Sequence, residues 1–288
     1  MRVEEFSVLK QQKVSDAILN KYPMMSYSQI QKLFRKKDIK VNDKRISADM
    51  KVVAGDIVKF FIHDVEPLKT KIFFEDENII VVFKTRKIET VSETEDNDLR
   101  KIVSSFLGVD CYAVHRLDRN TEGLVVFAKN KKSKDSLDYA FKNRTLEKYY
   151  LALVYGILEK KQDNMIAYLK KYPDKSYVDV VSEYKNGYDK IQTNYKVLKE
   201  VDDMSLVEVE LVTGKTHQIR AHFSHIGHFV IGDEKYGDAD INKKLKCKYQ
   251  NLCAYKIKFN FEEGDYLYYL NGMEVMVQMK DIDFCQNL

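Results

Sequence analysis

The chain has 288 residues, of which 44% are hydrophobic, enough for one large domain with its own core and a second, small one. It contains no apolar run long enough to cross a bilayer, which excludes a membrane-spanning protein. Its four cysteines have no CxxC spacing and its N-terminus has no apolar leader, so disulfide bonds and secretion are not indicated, and we expect a cytoplasmic protein.

Positive charge is concentrated in residues 1–63, which hold 13 Lys and Arg against 7 Asp and Glu. Of the totals of 48 and 44, this leaves 35 against 37, so the remainder is slightly acidic. The candidates for contacting a polyanion lie on one predicted helix and are Lys32, Arg35, Lys36 and Lys37. A charge run is more often a solvated face, so this pattern alone does not establish binding.

The basic segment predicts two helices and a hairpin. A short helix is expected from Val14 to Tyr22, and Ser26 with Gln29 forms a capping box that opens a second helix through Arg35. The second helix buries one apolar face, made by Ile30, Leu33 and Phe34. Strands are then expected at 39–41, 45–46 and 57–62.

The rest of the chain favours strands over helices. The segment IFFEDENIIVVFK at 72–84 predicts two strands around an acidic turn, and residues 89–98 predict an exposed loop. Helices are expected over 98–107 and 133–143. Residues 206–211 alternate as a half-buried strand. Because the connections have hairpin length, we expect an α+β fold with a mixed, mainly antiparallel sheet.

The stretch VHRLDRNTEGLVVFAK, from Val114 to Lys129, places charge directly before an apolar strand. His115, Arg116, Asp118 and Arg119 lie within five residues, and LVVF follows. A carboxylate at the entrance of a buried strand needs a cationic partner, because an isolated buried anion is strongly destabilising. For an arbitrary sequence, a structural salt bridge is the ordinary explanation.

A second polar segment, LVTGKTHQIRAHFSHIGHFVIGDEKYG, covers 211–237. Its GKT is not a phosphate-binding loop, because Val209 stands where that motif needs glycine. Thr216 is the expected N-cap of a helix that ends near Gly227. Inward-pointing side chains on this helix are expected to be Ile219, Phe223 and Ile226.

The same segment contains four histidines, at 217, 222, 225 and 228. No cysteine or acidic residue lies at a familiar zinc spacing nearby, so structural histidines are favoured over a metal site. Asp233 is expected to be a turn residue rather than a ligand.

The residues HRLDRNTEGL resemble the signature of the RluA-type pseudouridine synthases, HRLDRxTSGLLLxAK. Residues 148–156 match the second motif of that family, KxYxALVxG, and 211–237 match its third, with Lys215 in place of the usual arginine. The chain departs from the family at 84–88, where KTRKI replaces KPxGL, and at 252–254, where LCA replaces LHA. Without the proline and glycine, the loop conformation at 84–88 is not predictable, and we assign Cys253 no chemistry.

The resemblance implies the isomerisation of uridine to pseudouridine, which involves no net redox change or hydrolysis and therefore needs no cofactor, metal or nucleotide. It implies that Asp118 is the catalytic carboxylate, that a bidentate Arg220 keeps it ionised and oriented, and that Tyr150 lies beside the uracil. Substrate-binding residues implied by the motifs are His115, Arg116, Arg119 and Ile219. Arg116 would fill the space left by the flipped base, and Ile219 would be a wall of the pocket.

The N-terminal segment, with SxxQIQKLFRKKDIKVNDK and a closing AGDIV, resembles the RNA-binding domain named for ribosomal protein S-four. The expected organisation is therefore a helix-helix-hairpin domain at 1–63, a linker at 64–71 and a catalytic domain at 72–288. Such an appended domain resembles family members that act on large-subunit ribosomal RNA, and we expect a monomer. The alternatives are transfer RNA as substrate, or an RNA-binding protein without turnover, against which the joint presence of Asp118, Tyr150 and Arg220 argues.

Overall fold

A computed structural model describes residues 2–22, 25–62, 70–95, 98–172 and 175–286. The predicted linker at 64–71 therefore lies, except for its last two residues, outside the described part of the chain. In the described residues, no helix is both long enough and apolar enough to cross a membrane.

The N-terminal unit combines two helices with a small antiparallel sheet. Its helices are α1 (Val14–Lys21) and α2 (Tyr27–Lys36). Its strands are β1 (Arg2–Ser7), β2 (Gln12–Lys13), β3 (Ile39–Val41), β4 (Lys44–Ile46), β5 (Lys51–Val52) and β6 (Ile57–Ile62). Four of these strands form a sheet in the order β1-β6-β3-β4, and β2 pairs with β5.

Helix α2 begins at the predicted capping box. The Ser26 hydroxyl accepts a hydrogen bond from the Gln29 amide, and the Gln29 side chain accepts one from the Ser26 amide. Two otherwise unpaired amides at the helix start are satisfied in this way. Ile30, Leu33 and Phe34 are buried, which confirms the predicted apolar face.

The larger unit is built on one long, mixed sheet. Its strands are β7 (Ile72–Glu75), β8 (Ile79–Lys84), β9 (Tyr112–Ala113), β10 (Glu122–Ala128), β11 (Leu146–Tyr155), β12 (Gln162–Lys171), β13 (Val178–Val181), β14 (Asp189–Val201), β15 (Met204–Glu210), β16 (Leu252–Phe259) and β17 (Glu274–Met276). The strand order is β13-β12-β14-β15-β11-β16-β10-β8-β7, with β17 beside β16 and β9 beside β10. The described pairs are antiparallel apart from β10 with β16, so the predicted α+β class and mainly antiparallel sheet are confirmed.

Four helices pack on or beside this sheet: α3 (Leu99–Leu107), α4 (Lys131–Asn143), α5 (Gln218–His225) and α6 (Ala239–Lys244). Strand β10 is buried along its whole length, because Val125 and Phe127 enter one hydrophobic core and Leu124 and Val126 enter the other. The charged segment before β10 is thereby fixed at one end of the innermost part of the sheet.

The backbones of β10 and β16 lie very close together at the start of β10. Gly123 has φ +126°, and a Cβ atom there would lie 2.3 Å from the carbonyl oxygen of Ala254. Any other residue would push β10 away from β16, so glycine allows the parallel pairing of Glu122 with Cys253 and Gly123 with Ala254.

The predicted exposed loop at 89–98 is partly wrong, because Thr90, Ser92 and Asp98 are buried. Asp98 is the N-cap of α3, where it accepts hydrogen bonds from the amides of Lys101 (2.7 Å) and Ser92 (3.0 Å). The Thr90 hydroxyl accepts one from the Leu117 amide at 3.1 Å. These short polar side chains are buried because they satisfy the backbone, and they tie this loop to the segment that contains Asp118.

The two units contact each other through α2 and α3. Arg35 Nη2 donates to the carbonyl oxygen of Leu107 at 2.9 Å, and Lys32 Nζ lies 5.3 Å from the centre of the Phe106 ring. Lys129 and Glu75 form a 2.9 Å ion pair that is almost fully buried at this contact. Two of the four predicted RNA-binding side chains, Lys32 and Arg35, therefore touch the larger unit. Lys36 and Lys37 are exposed, as is Arg35 despite this contact.

Candidate active site

A cavity of about 420 Å³ opens where three segments of the larger unit meet. They are the segment before β10, the end of α4 with the start of β11, and the segment from the end of β15 into α5. The predicted site residues that line it are His115, Arg116, Asp118, Tyr150, Ile219 and Arg220. Residues far apart in the sequence are thus brought together as the motifs predict.

Arg220 is held between two carboxylates. Its Nη1 donates to Asp118 Oδ2 at 2.8 Å, while its Nε and Nη2 donate to the two oxygens of Asp233 at 2.6 and 2.9 Å. The predicted bidentate contact with Asp118 is therefore wrong, because Asp233 takes the other side of the guanidinium. Asp118 receives one directed hydrogen bond and keeps 27% of its side-chain surface exposed in the cavity.

The sequence predicted only one of the two roles of Asp233, that of a turn residue. It accepts hydrogen bonds from the amides of Lys235 and Tyr236, as a turn residue does, but its buried carboxylate also orients Arg220. Burial acts to raise the pKa of Asp233, but the hydrogen bonds and charge of Arg220 outweigh it and hold that pKa below its usual value. Burial likewise acts to lower the pKa of Arg220, and the two carboxylates reverse this, so the guanidinium stays charged.

Tyr150 forms part of the cavity wall from strand β11. It lies in the hydrophobic core with Ile219 and Leu252, and 6% of its surface is exposed. Burial and then the charge of Asp118 raise its pKa, so its hydroxyl remains protonated at neutral pH. The ring therefore presents an apolar face and a neutral hydroxyl in the cavity that contains Asp118.

The start of α5 differs from the prediction. Thr216 is not the N-cap; His217 occupies that position with φ 55° and no capping side-chain hydrogen bond. The Gln218 side chain instead accepts hydrogen bonds from the Lys215 amide and the Thr213 hydroxyl. Ile219 and Phe223 are buried as predicted, but Ile226 is exposed because α5 ends at His225.

His217 is a second residue whose position only the structure shows. Its Nδ1 lies 2.9 Å from the Tyr236 hydroxyl, and its Nε2 lies 3.8 Å from Asp118 Oδ2. Burial lowers the pKa of His217, although the charge of Asp118 acts in the opposite direction. A left-handed backbone at the start of α5 thus places an imidazole beside the carboxylate.

The other basic residues of the HRLDR segment have different surroundings. His115 Nε2 accepts a hydrogen bond from the Val126 amide at 2.9 Å, and its ring stacks on Phe141. Burial, with a contribution from the charge of Lys148, lowers the pKa of His115 to about 3. Arg116 is exposed at the cavity mouth. Arg119 pairs with Glu95 at 2.8 Å instead of pointing into this cavity.

The sequence matches the family model for RNA pseudouridylate synthase over residues 78–225, which include the segments that build this cavity. The chain belongs to the RNA pseudouridylate synthase family. It is 33% identical to ribosomal large subunit pseudouridine synthase C of Rickettsia bellii over 246 residues, covering 75% of this chain and 80% of the relative.

Two further comparisons agree. An RNA pseudouridine synthase of Aquifex aeolicus, itself uncharacterized, is 35% identical over 257 residues, covering 82% of this chain and 80% of that protein. The solved structure of human RNA pseudouridylate synthase domain containing 1 has a TM-score of 0.62 at 23% identity, over 78% of this chain and 90% of the human chain, and so shares the fold.

In this family member, the unusual loop at 84–88 is held by a buried lysine. Lys84 Nζ donates to the carbonyl oxygens of Thr85 (3.1 Å), Ile88 (2.9 Å) and Arg119 (3.0 Å), which joins the loop to the Asp118 segment. Burial lowers the pKa of Lys84 to about 7. Lys87, at the position where the family motif has glycine, adopts φ 69° and is therefore in the left-handed region.

The four histidines of the third motif have separate partners. His222 contacts the Thr193 hydroxyl, His225 contacts the Ser182 hydroxyl, and His228 contacts the Tyr155 carbonyl, whereas His217 faces Tyr236. Within the described residues, no group of three or more His, Cys, Asp or Glu side chains is arranged to hold a metal ion. Cys253 is fully buried in β16, and burial raises the pKa of its thiol well above the ordinary value.

Proposed function

We propose that this protein converts specific uridines of large-subunit ribosomal RNA to pseudouridine, using Asp118 as the catalytic carboxylate. The observation that carries the proposal is the cavity in which Asp118 is held by Arg220 beside a buried, neutral Tyr150. The choice of ribosomal RNA is supported by relatives such as the one from Rickettsia bellii, named for the large ribosomal subunit.

The reaction exchanges one bond for another within the same nucleotide. The bond between C1′ of the ribose and N1 of the uracil breaks, the ring rotates, and a bond forms between C1′ and C5. The proton on C5 is released and N1 gains one, so electrons and atoms balance without an external reagent. The protein must therefore extract the base from its stack, act on the sugar with one carboxylate and prevent the detached uracil from escaping.

Asp118 is positioned to act on the sugar. Two orders of events use this carboxylate: it attacks C1′ as a nucleophile, or it removes a ribose proton as a base and yields a glycal-like intermediate. In both, Arg220 holds one oxygen of the carboxylate by a hydrogen bond, and Asp233 fixes the plane of the guanidinium.

The walls of the cavity provide the remaining functions. Tyr150 offers an aromatic face for stacking the uracil and a protonated hydroxyl, and Ile219 packs beside it. Arg116, exposed at the mouth, is assigned to the gap that the flipped base leaves in the RNA. His115 has a structural role in the HRLDR segment, since its Nε2 accepts a hydrogen bond from the Val126 amide. Arg119 is assigned to a contact with the RNA outside this cavity.

We further propose that residues 1–63 are an RNA-binding domain of the ribosomal-protein-S-four type, joined through residues 64–71 to a catalytic domain at 72–288. The helix-helix-hairpin order and the excess positive charge support this division. Lys36 and Lys37 are exposed for phosphate contacts, whereas Lys32 and Arg35 also hold the domain against α3.

Pseudouridine mapping in cells with and without the gene tests the proposal. We expect one or a few pseudouridines of large-subunit ribosomal RNA to be lost without the gene and restored by the wild type, but not by Asp118→Asn. An unchanged map in all RNAs would contradict the proposed activity. A loss confined to transfer RNA would retain the activity and overturn the substrate.

A further inference from the structure

A second cavity, of about 240 Å³, borders the Asp118–Arg220 pair. Asp118, His217 and Arg220 line both cavities, so these three side chains form the partition between them. A molecule bound across the partition would contact Asp118 from both sides.

The two cavities differ in chemical character. The first has aromatic and aliphatic side chains in its wall, among them Phe141, Tyr150 and Ile219, beside charged ones such as Arg144 and Lys148. Every residue that lines the second is charged, polar or glycine. The first therefore suits a planar base, and the second suits a hydrated, charged group.

The charged lining of the second cavity is mainly positive. It comprises the cations Arg119, Arg220, Lys235 and Lys248 and the carboxylates Asp118 and Glu234. Arg220 is already held by carboxylates, but Lys235 and Lys248 are exposed and contact uncharged groups. Lys235 Nζ donates to the Ser176 carbonyl at 2.8 Å, and Lys248 Nζ lies 5.8 Å from the Tyr249 ring. Both ammonium groups are therefore available to an anion.

A glycine allows the two segments that contain these lysines to pack against each other at the second cavity. Gly232 has φ +80°, and a Cβ atom there would lie 2.1 Å from the Tyr249 carbonyl oxygen. The loop that leads to Lys235 therefore packs directly against the backbone that follows Lys248. Lysines 13 residues apart in the sequence are brought to the same opening by this contact.

Within a nucleotide, the base and the phosphates extend from different sides of the sugar. With the uracil in the first cavity and C1′ at Asp118, a phosphodiester group on the other side of the ribose would meet the second cavity. We propose that the second cavity is a phosphate subsite, in which Lys235 and Lys248 bind a phosphodiester group that flanks the target uridine. This inference rests on the proposed function, since it takes the substrate to be RNA with its reacting sugar at Asp118.

The first test compares lysine variants in the full-length protein. The probe is a fragment of large-subunit ribosomal RNA around the uridine whose modification depends on the gene. Lys235→Ala and Lys248→Ala are each expected to reduce the slope of log affinity against log salt by about one unit. Lys235→Arg and Lys248→Arg should retain most of the affinity, because they keep the charge. Lys131→Ala, on the exposed start of α4, is the matched control and should change neither quantity.

The second test removes the charge from the RNA. Single methylphosphonate linkages on the 5′ or 3′ side of the target uridine replace a charged phosphate by a neutral group. One of the two is expected to weaken wild-type binding about tenfold, in the range of a charge-assisted hydrogen bond. The same linkage should cause little further loss in the Lys235→Ala, Lys248→Ala double variant, because its partners are absent.

The outcomes separate the inference from the proposed function. If the wild type modifies the fragment and the losses from protein and RNA simply add, the phosphate subsite is refuted and the activity stands. If the losses are coupled, the subsite is supported. If the wild type forms no pseudouridine in any RNA, both the proposed function and the inference fail.

Discussion

Arg220 Nη1 lies 2.8 Å from Asp118 Oδ2, although 102 residues separate the two in sequence. The contact joins the segment before β10 to helix α5, and both side chains line the cavity. A carboxylate that is partly exposed to the cavity but hydrogen-bonded to a buried guanidinium loses orientational freedom. The consequences of this arrangement can be measured.

Asp118→Asn is expected to abolish isomerisation while RNA binding is retained. The substitution keeps the size of the side chain and removes the charge that acts on the ribose. Release of tritium from RNA labelled at C5 of uridine measures the reaction, and a filter-binding assay measures affinity. Asp110→Asn, a neutralisation at an exposed position, is the control and should remain active. Tritium release by Asp118→Asn at the wild-type rate would remove Asp118 from the mechanism.

Asp233→Asn is expected to lower both activity and stability, because it leaves the buried Arg220 with a single carboxylate. Breaking a buried ion pair costs about 3–5 kcal/mol, and the amide oxygen of Asn should limit the loss to about 2–3 kcal/mol. Urea denaturation gives the free energy of unfolding, and single-turnover assays give the rate. The neighbouring Glu234→Gln, at an exposed carboxylate, should unfold like the wild type. Equal stability of the two variants would show that Asp233 does not hold Arg220.

The buried His222 is expected to make stability depend on pH. Burial, with a contribution from the charge of His225, lowers the pKa of His222 to about 4. In the unfolded chain the pKa of a histidine is about 6.5. Between these values the unfolded chain binds the additional proton, so the free energy of unfolding falls as pH decreases through this window. The loss is about 3 kcal/mol when complete.

The comparison of His222→Gln with the wild type isolates this contribution. The variant should show a shallower fall in unfolding free energy between about pH 6.5 and pH 4, since it has no imidazole to protonate. His225→Gln, at an exposed position on the same helix, removes only the smaller of the two causes and should retain most of the wild-type pH dependence. Parallel profiles for all three proteins would show that His222 titrates normally in the folded state.

Lys87 is expected to be a strained position in the loop at 84–88. Its φ of 69° disfavours a side chain, so Lys87→Gly should be more stable than Lys87→Ala by about 1 kcal/mol. Both variants lose the contact between Lys87 and the Tyr249 ring. The difference between their free energies of unfolding therefore reflects the backbone conformation at residue 87. Urea denaturation of the pair gives that difference. An alanine variant as stable as the glycine variant would mean that the loop adopts another conformation.

Removal of residues 1–63 is expected to weaken RNA binding and flatten its salt dependence. The deletion takes away 13 Lys and Arg with 7 Asp and Glu, and each lost phosphate contact lowers the salt slope by about one unit. Single-turnover rates at saturating enzyme should change much less, because Asp118, Tyr150 and Arg220 remain.

The full-length variant Lys36→Ala, Lys37→Ala should reproduce part of the change in slope without exposing the α2–α3 contact. Circular dichroism establishes whether the truncated protein folds. A folded truncation with an unchanged salt slope would contradict the RNA-binding assignment. A folded truncation whose saturated rate collapses would show that the N-terminal unit helps to build the active site.

Local sequence signals determined much of the secondary structure, and the site residues came from the resemblance to a family. The capping box of α2, the alternation in β15 and the apolar run of β10 act over a few residues, and the structure contains each element as predicted. The family resemblance implied that Asp118 and Arg220 meet, and the structure contains that hydrogen bond. The need of a buried anion for a cationic partner did not by itself select Arg220 over the nearer arginines.

The tertiary structure decided which partner each polar group takes. Asp233 reads as a turn residue in the sequence, and its carboxylate reaches Arg220 only because the loop after α5 folds back onto the helix. His217 adopts a left-handed backbone, which residue type alone does not predict, and so the N-cap expected at Thr216 is displaced by one residue. Likewise, Lys32 and Arg35 belong to a basic run in the sequence, but docking of α2 on α3 gives them partners in the other unit. Hydrogen-bonding capacity is fixed by residue type, whereas the partner depends on which segments the packed core brings within 3 Å, as a typical hydrogen bond requires.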